Sequence, residues 1–170
     1  AAYCEKAGHE VYFLDAPAKQ MNEQQSLDAI KQNAQGATLF IYDTSTPSIK
    51  SDVAFAERVK ELFPGSFALL VGTHPSACAG ETLGYSTKID AVGIGEFDNT
   101  VLELANTLQN GGDVQQVRGL CLNTAEGCKR TAPMPAMHEL DELPFASQFI
   151  AKYLDPRDYF FAAATYPSIQ

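Results

Sequence analysis

The chain has 170 residues, of which 45% are hydrophobic and 19% charged, and its net charge is −9. That balance suits one folded domain with an extension and excludes a disordered polyelectrolyte. The acidic charge repels phosphate backbones and argues against nucleic acid as a partner. No apolar run approaches the ~18 residues of a membrane span, and no basic, apolar signal peptide opens the chain.

Residues 1–7 are helical in composition, and Gly8 is a helix stop. Val11-Tyr12-Phe13-Leu14 is bulky, β-branched or aromatic, and predicts a buried strand. Residues 26–35 place Leu27, Ile30 and Ala34 on one helical face, closed by Gly36. Thr38-Leu39-Phe40-Ile41-Tyr42 is a continuous apolar strand of the kind found in parallel sheets. Residues 52–63 form the next helix, ended by Pro64-Gly65, and Phe67-Ala68-Leu69-Leu70-Val71 the next strand. A short helical or loop segment over 77–85 leads to Ile89-Asp90-Ala91-Val92 and then to a helix over 99–109. Strand and helix alternate, which predicts a doubly wound α/β domain with a parallel sheet. Such a domain begins with a strand, so its first strand is expected upstream of Ala1.

After Gly112 the pattern changes. Residues 117–122 and 129–132 flank Thr124-Ala125-Glu126-Gly127, a β-hairpin with a glycine turn. Pro133, Pro135 and Pro144 then forbid a long helix and favour an extended connector. We therefore divide the chain into an α/β domain over 1–110 and a hairpin plus linker over 111–170. Residues 166–170 look like the start of another strand, so the chain reads as a segment of a longer protein. Cys4, Cys78, Cys121 and Cys128 form no CxxC pair and read as reduced thiols of a cytoplasmic protein, with Cys121 and Cys128 facing each other across the hairpin.

Three strand ends carry the candidate chemistry. The first is Thr44-Ser45-Thr46 before Pro47-Ser48, three hydroxyls in succession that either satisfy backbone groups or face a ligand. The second is Gly72-Thr73-His74 before Pro75-Ser76. The third is Gly93-Ile94-Gly95-Glu96, where two residues without Cβ allow a sharp turn and close ligand approach. Glu96 either caps the helix that follows or accepts a hydrogen bond from a ligand. Asn99 stands where a dinucleotide fingerprint needs its third glycine, so NAD is disfavoured, and no nucleoside triphosphate loop is present. His9 and His138 read as structural or solvated, and no two histidines have metal-ligand spacing.

Together with Leu140-Asp141-Glu142-Leu143-Pro144-Phe145, these turns resemble the N-terminal half of cobalamin-dependent radical SAM proteins. Those proteins carry a Gly-Gly-x-His-Pro-like turn, then a Gly-Glu-Gly-Glu-like turn, then a Leu-Asp-x-Leu-Pro connector. The resemblance implies a flavodoxin-like (Rossmann-like) cobalamin-binding domain, a linker, and a radical SAM barrel whose CxxxCxxC loop lies past Gln170. It places cobalamin against Thr44, Ser45, Thr46, Gly72, Thr73, His74, Gly93, Ile94, Gly95 and Glu96. It implies a [4Fe-4S] cluster and S-adenosylmethionine in the barrel of the same chain, a small-molecule substrate, and methyl transfer as the reaction. The Asp-x-His-x-x-Gly signature is absent, so no residue is assigned as a cobalt ligand, and this segment holds no catalytic acid or base. Two rival readings remain: a degenerate module of the same fold that docks on the barrel without cofactor, and a receiver-like or flavin-binding domain. A receiver wants clustered early acids, which Asp15 and Asp43 supply thinly, and a flavin wants a phosphate loop that is not present.

Overall fold

A computed structural model describes residues 1–137, 141 and 143–159. A five-stranded mixed sheet organises them, in the order β1 (Leu39–Asp43), β2 (Phe67–Val71), β3 (Ala91–Gly93), β4 (Leu120–Thr124) and β5 (Gly127–Arg130). β1, β2 and β3 run parallel, while β4 and β5 add to the same sheet as an antiparallel hairpin. The helices are α1 (Ala2–Lys6), α2 (Glu23–Asn33), α3 (Ile49–Leu62), α4 (Thr73–Ala77), α5 (Ala79–Gly84), α6 (Asp98–Gln109) and α7 (Ala146–Tyr153). The alternation read from the sequence thus produces the doubly wound, Rossmann-like arrangement.

Strand parity assigns the two faces. Ala68 and Leu70 of β2 point to one side, where Ile49, Val53 and Ala56 of α3 and Ala79 and Leu83 of α5 cover them. Leu69 and Val71 point to the other, against Val101 and Leu104 of α6 and Cys4 of α1. All four β2 residues are essentially inaccessible, which explains why the strand reads as an unbroken apolar run. A third cluster joins Leu27 and Ile30 of α2 and Ala34 at its C-terminal end to Val59 of α3, with Phe40 and Tyr42 packed against it. Asn22 opens α2 with a capping box, its side chain accepting from the Gln25 N–H while Gln25 returns a bond to the Asn22 N–H.

Three sequence expectations need correction or extension. Val11-Tyr12-Phe13-Leu14 is not a strand. Among the described residues no strand pairs with it, and its backbone joins no ladder. Its apolar side chains are used in packing instead: Val11 joins the cluster under α6, Leu14 the cluster with Phe40 and Tyr42, and Phe13 meets Phe149 edge-on with ring centres 4.9 Å apart. Second, the connector is not wholly extended. The proline-free stretch between Pro144 and Pro156 forms α7, whose Phe149 and Tyr153 rings close on Phe13. Lys152 and Tyr153 of α7 also bond to Glu5. His138, part of the Leu140–Phe145 motif and residues 166–170 lie outside the described residues.

Third, the reduced-thiol expectation fails at one pair. The two-residue turn Ala125-Glu126 folds β5 back on β4, and Cys121 and Cys128 are joined as a disulfide with Cα atoms 5.6 Å apart. That separation lies within the span a bridge needs. Cys4 and Cys78 are free. Closing so short a loop is expected to stabilise the fold by about 2–3 kcal/mol through the unfolded chain's lost entropy. Urea unfolding with and without a reductant checks this. The midpoint falls on reduction, and Cys128→Ser reproduces the reduced midpoint in both conditions.

Candidate functional site

Because β1, β2 and β3 are parallel, their carboxyl ends share one edge of the sheet. Asp43 is in register with Val71, and Val92 with Leu70, so the chain leaves the sheet at three adjacent points. Neighbouring strands lie about 4.8 Å apart, so these exits fall within roughly 10 Å of one another. All three sequence-selected loops begin at these exits, and hydrogen bonds join each loop to another.

The loop after β1 is folded on itself. Thr44 is buried, and its N–H donates to the Val71 carbonyl at 2.9 Å, extending the ladder by one residue. Its hydroxyl donates to the Asp52 carboxylate on α3 and lies 3.4 Å from the Ser48 hydroxyl. The Ser45 carbonyl accepts from the Ser48 and Ile49 N–H groups at the start of α3. Ser45 and Thr46 are exposed. Asp43 sits at the same strand end, and its carboxyl is held above the usual range, first by burial and then by repulsion from Asp52. Tyr42, one residue earlier, has a buried hydroxyl without a protein partner, and burial pushes its ionisation upward.

The loop after β2 begins with a glycine that no other residue can replace easily. Gly72 has φ +112°, and a Cβ there would fall 2.3 Å from the Thr44 carbonyl and 2.7 Å from an Asp43 carboxylate oxygen. It lets the β2 exit touch the β1 exit. Thr73 is exposed, while His74 is buried, with Nδ1 3.2 Å from the Thr46 hydroxyl. Its Nε2 is buried and has no protein partner. Ser76 accepts from the Gly95 N–H at 3.0 Å and lies 3.5 Å from the Gly93 carbonyl, so it bridges to the third loop.

In the third loop Gly93 is packed, since a Cβ would sit 3.1 Å from Val71 Cγ1. Gly95 differs: its φ is +73°, and a Cβ there would meet nothing within 4 Å. Ile94 donates its N–H to the Gly119 carbonyl and packs against the core beside α3 and α5, so its side chain is structural. Glu96 is exposed, and α6 starts after Phe97 with no side-chain cap, so the capping role is not used. Ser76 and Asp52 escaped selection from the sequence. Their importance comes from contacts 19 and 8 residues away, although Ser76 stands only two positions beyond His74.

Among the described residues, no group of three or more His, Cys, Asp or Glu side chains could hold a metal ion. None of the four cysteines assembles a cluster site, as Cys121 and Cys128 bind each other. No described helix is long and apolar enough to cross a membrane. A separate open groove lies between α6 and the connector, lined by Asn99, Glu103, Asn106, Arg118, Met134 and Pro135 among others. It shares no residue with the three loops.

The family model described as B12 binding domain matches residues 1–105. No curated protein matches the chain. Among solved structures, the radical S-adenosylmethionine methyltransferase TsrM from Kitasatospora setae, with tryptophan substrate and a SAM analogue bound, is similar at TM-score 0.68 and 19% identity. The alignment covers 79% of this chain and 28% of TsrM. A second TsrM structure, with cobalamin and a [4Fe-4S] cluster bound, aligns at TM-score 0.66 and 19% identity over 75% of this chain and 26% of that one. The cobalamin-dependent S-adenosylmethionine radical enzyme OxsB, with aqua-cobalamin and S-adenosylmethionine bound, aligns at TM-score 0.62 and 12% identity over 72% of this chain and 17% of its own. This chain therefore spans about a quarter or less of each of these enzymes.

Within the three loops, the two glycines with positive φ, Gly72 and Gly95, lead to different predictions. Gly72→Ala combines a disfavoured φ with a backbone clash and is expected to cost about 3 kcal/mol. Gly95→Ala meets only the φ penalty, about 1 kcal/mol. Chemical unfolding of both variants checks the ranking. Equal losses would remove the close β1–β2 contact from the account.

Proposed function

The chain belongs to the B12-binding domain family, and on that premise we propose that it is the cobalamin-binding module of a radical SAM enzyme, a methyltransferase. One observation carries the reading. Three glycine- and hydroxyl-bearing loops stand side by side at the carboxyl edge of a parallel sheet and touch one another. The chain leaves β2 toward the face of α3 and α5 but leaves β3 toward the face of α6. Such a divergence is where open α/β sheets accept ligands.

The residues fit a large corrinoid. Gly95 leaves open space where any other residue would carry a Cβ. Ser45 and Thr73 are exposed and offer hydroxyls for the polar atoms of the nucleotide tail. When bound, cobalamin supplies the methyl-carrying chemistry. The part of this chain is to bind and orient the corrin through Thr44, Ser45, Thr46, Gly72, Thr73, His74, Gly93, Gly95 and Glu96, with Ile94 seating the turn. The [4Fe-4S] cluster, S-adenosylmethionine and the small-molecule substrate belong to a barrel of the same chain outside these residues. A cytoplasmic location belongs to the same reading, and the Cys121–Cys128 disulfide is the observation that counts against it, since such bridges are rare there.

One observation favours the rival, a docking module without cofactor: the hydroxyls of Thr44 and Thr46 already have partners inside the protein. Incubating the chain with hydroxocobalamin, followed by gel filtration and a visible spectrum, separates the two. Corrin absorbance co-eluting with the protein is expected, and Gly95→Val is expected to abolish it while leaving circular dichroism near native. Corrin-free protein would favour the docking module. Retention unchanged by Gly95→Val would move the site away from the β3 turn.

A further inference from the structure

We propose that α4 is a two-sided pin, in which His74 holds the loop after β1 and Ser76 holds the turn after β3. One helical turn then sets the relative positions of all three loops. The inference deepens the corrin-site reading and rests on it for its functional meaning. His74 and Ser76 are positioning residues in this scheme.

Helix geometry makes the arrangement possible. Residues two apart lie about 200° apart around a helix axis, so they face opposite ways. His74 accordingly reaches the β1 side, with Nδ1 3.2 Å from the Thr46 hydroxyl. Ser76 reaches the β3 side, accepting from the Gly95 N–H at 3.0 Å. Pro75 lies between them, buried, in the first turn of α4, where its missing N–H leaves no intrahelical bond unmade and its ring limits backbone motion. Gly72 fixes the start of this turn against Thr44.

The pin supplies what the sheet does not. The β2–β3 ladder ends at Leu70 and Val92, so the turn over 93–95 lies beyond it on the β2 side. On the β4 side Ile94 is tied to Gly119, and Ser76 provides the matching tie toward β2. Thr46 is exposed and stands near the tip of its loop, so its bond to His74 connects that tip to the β2 exit. The buried, unpartnered Nε2 of His74 also separates two roles within one ring. Nδ1 serves the loop, and Nε2 is not part of the pin.

Amide hydrogen exchange by NMR on the corrin-free chain tests the β3 side. Ser76→Ala should speed exchange at Gly95 about tenfold or more while β2 amides stay unchanged, and Ser76→Thr should restore slow exchange. Titration with hydroxocobalamin tests both sides. Ser76→Ala, His74→Gln and Thr46→Val should each raise the dissociation constant about tenfold. Ser76→Thr and His74→Asn should stay within about threefold, because the Asn amide stands where Nδ1 stands. Unchanged Gly95 exchange in Ser76→Ala, or equal weakening by His74→Asn and His74→Gln, would overturn the pin. Thr46→Val alters an exposed position and so keeps the β1 side testable if a His74 variant fails to fold. A wild-type chain that takes up no corrin would defeat the site reading, while Gly95 exchange still decides the β3 side of the pin.

Discussion

The close approach of two strand exits governs this edge of the molecule. Gly72 brings the end of β2 against the Thr44 carbonyl, at a distance and a φ that exclude a side chain. From that contact the other arrangements follow. Thr44 continues the ladder to Val71, the α4 turn starts in a fixed direction, and His74 and Ser76 fall on opposite sides of it. A parallel sheet guarantees that strand ends share an edge. It does not guarantee that their loops touch, and here small residues and two side-chain hydrogen bonds supply that.

Much of this was legible in the sequence because burial on both faces leaves a plain signature. Phe67-Ala68-Leu69-Leu70-Val71 is apolar throughout, since alternate residues meet α3 on one side and α6 on the other. The hairpin is equally plain, with Gly127 at φ +105° next to a two-residue turn. Val11-Tyr12-Phe13-Leu14 shows where the signature misleads. Apolar bulk demands burial, but a strand also demands a neighbour to bond with. Val11, Phe13 and Leu14 bury their side chains against three different partners without one.

The site was legible at the level of turns and not at the level of roles. Glycines and hydroxyls at strand ends mark a rim, and the three loops that carry them lie together at the carboxyl edge of the sheet. Which hydroxyl serves the protein and which is free for a ligand depends on contacts between loops. Ser76 looks no different in sequence from Ser45, yet it bonds across to Gly95 while Ser45 stays within its own loop. Of the two roles open to Glu96, a cap or a ligand contact, the cap is not used, since α6 begins without a side-chain cap. The Cys121–Cys128 pair likewise needed the hairpin register to bring its Cα atoms to 5.6 Å.

The proposed function puts the corrin over the exits of β1, β2 and β3 and nowhere else among the described residues. Hydrogen-exchange mass spectrometry with and without hydroxocobalamin maps that footprint directly. Slowed exchange is expected in peptides covering residues 44–46, 72–76 and 93–96, with the groove beside α6 at Asn99, Asn106 and Arg118 unaffected. Protection at that groove, with the three strand exits unchanged, would contradict this placement.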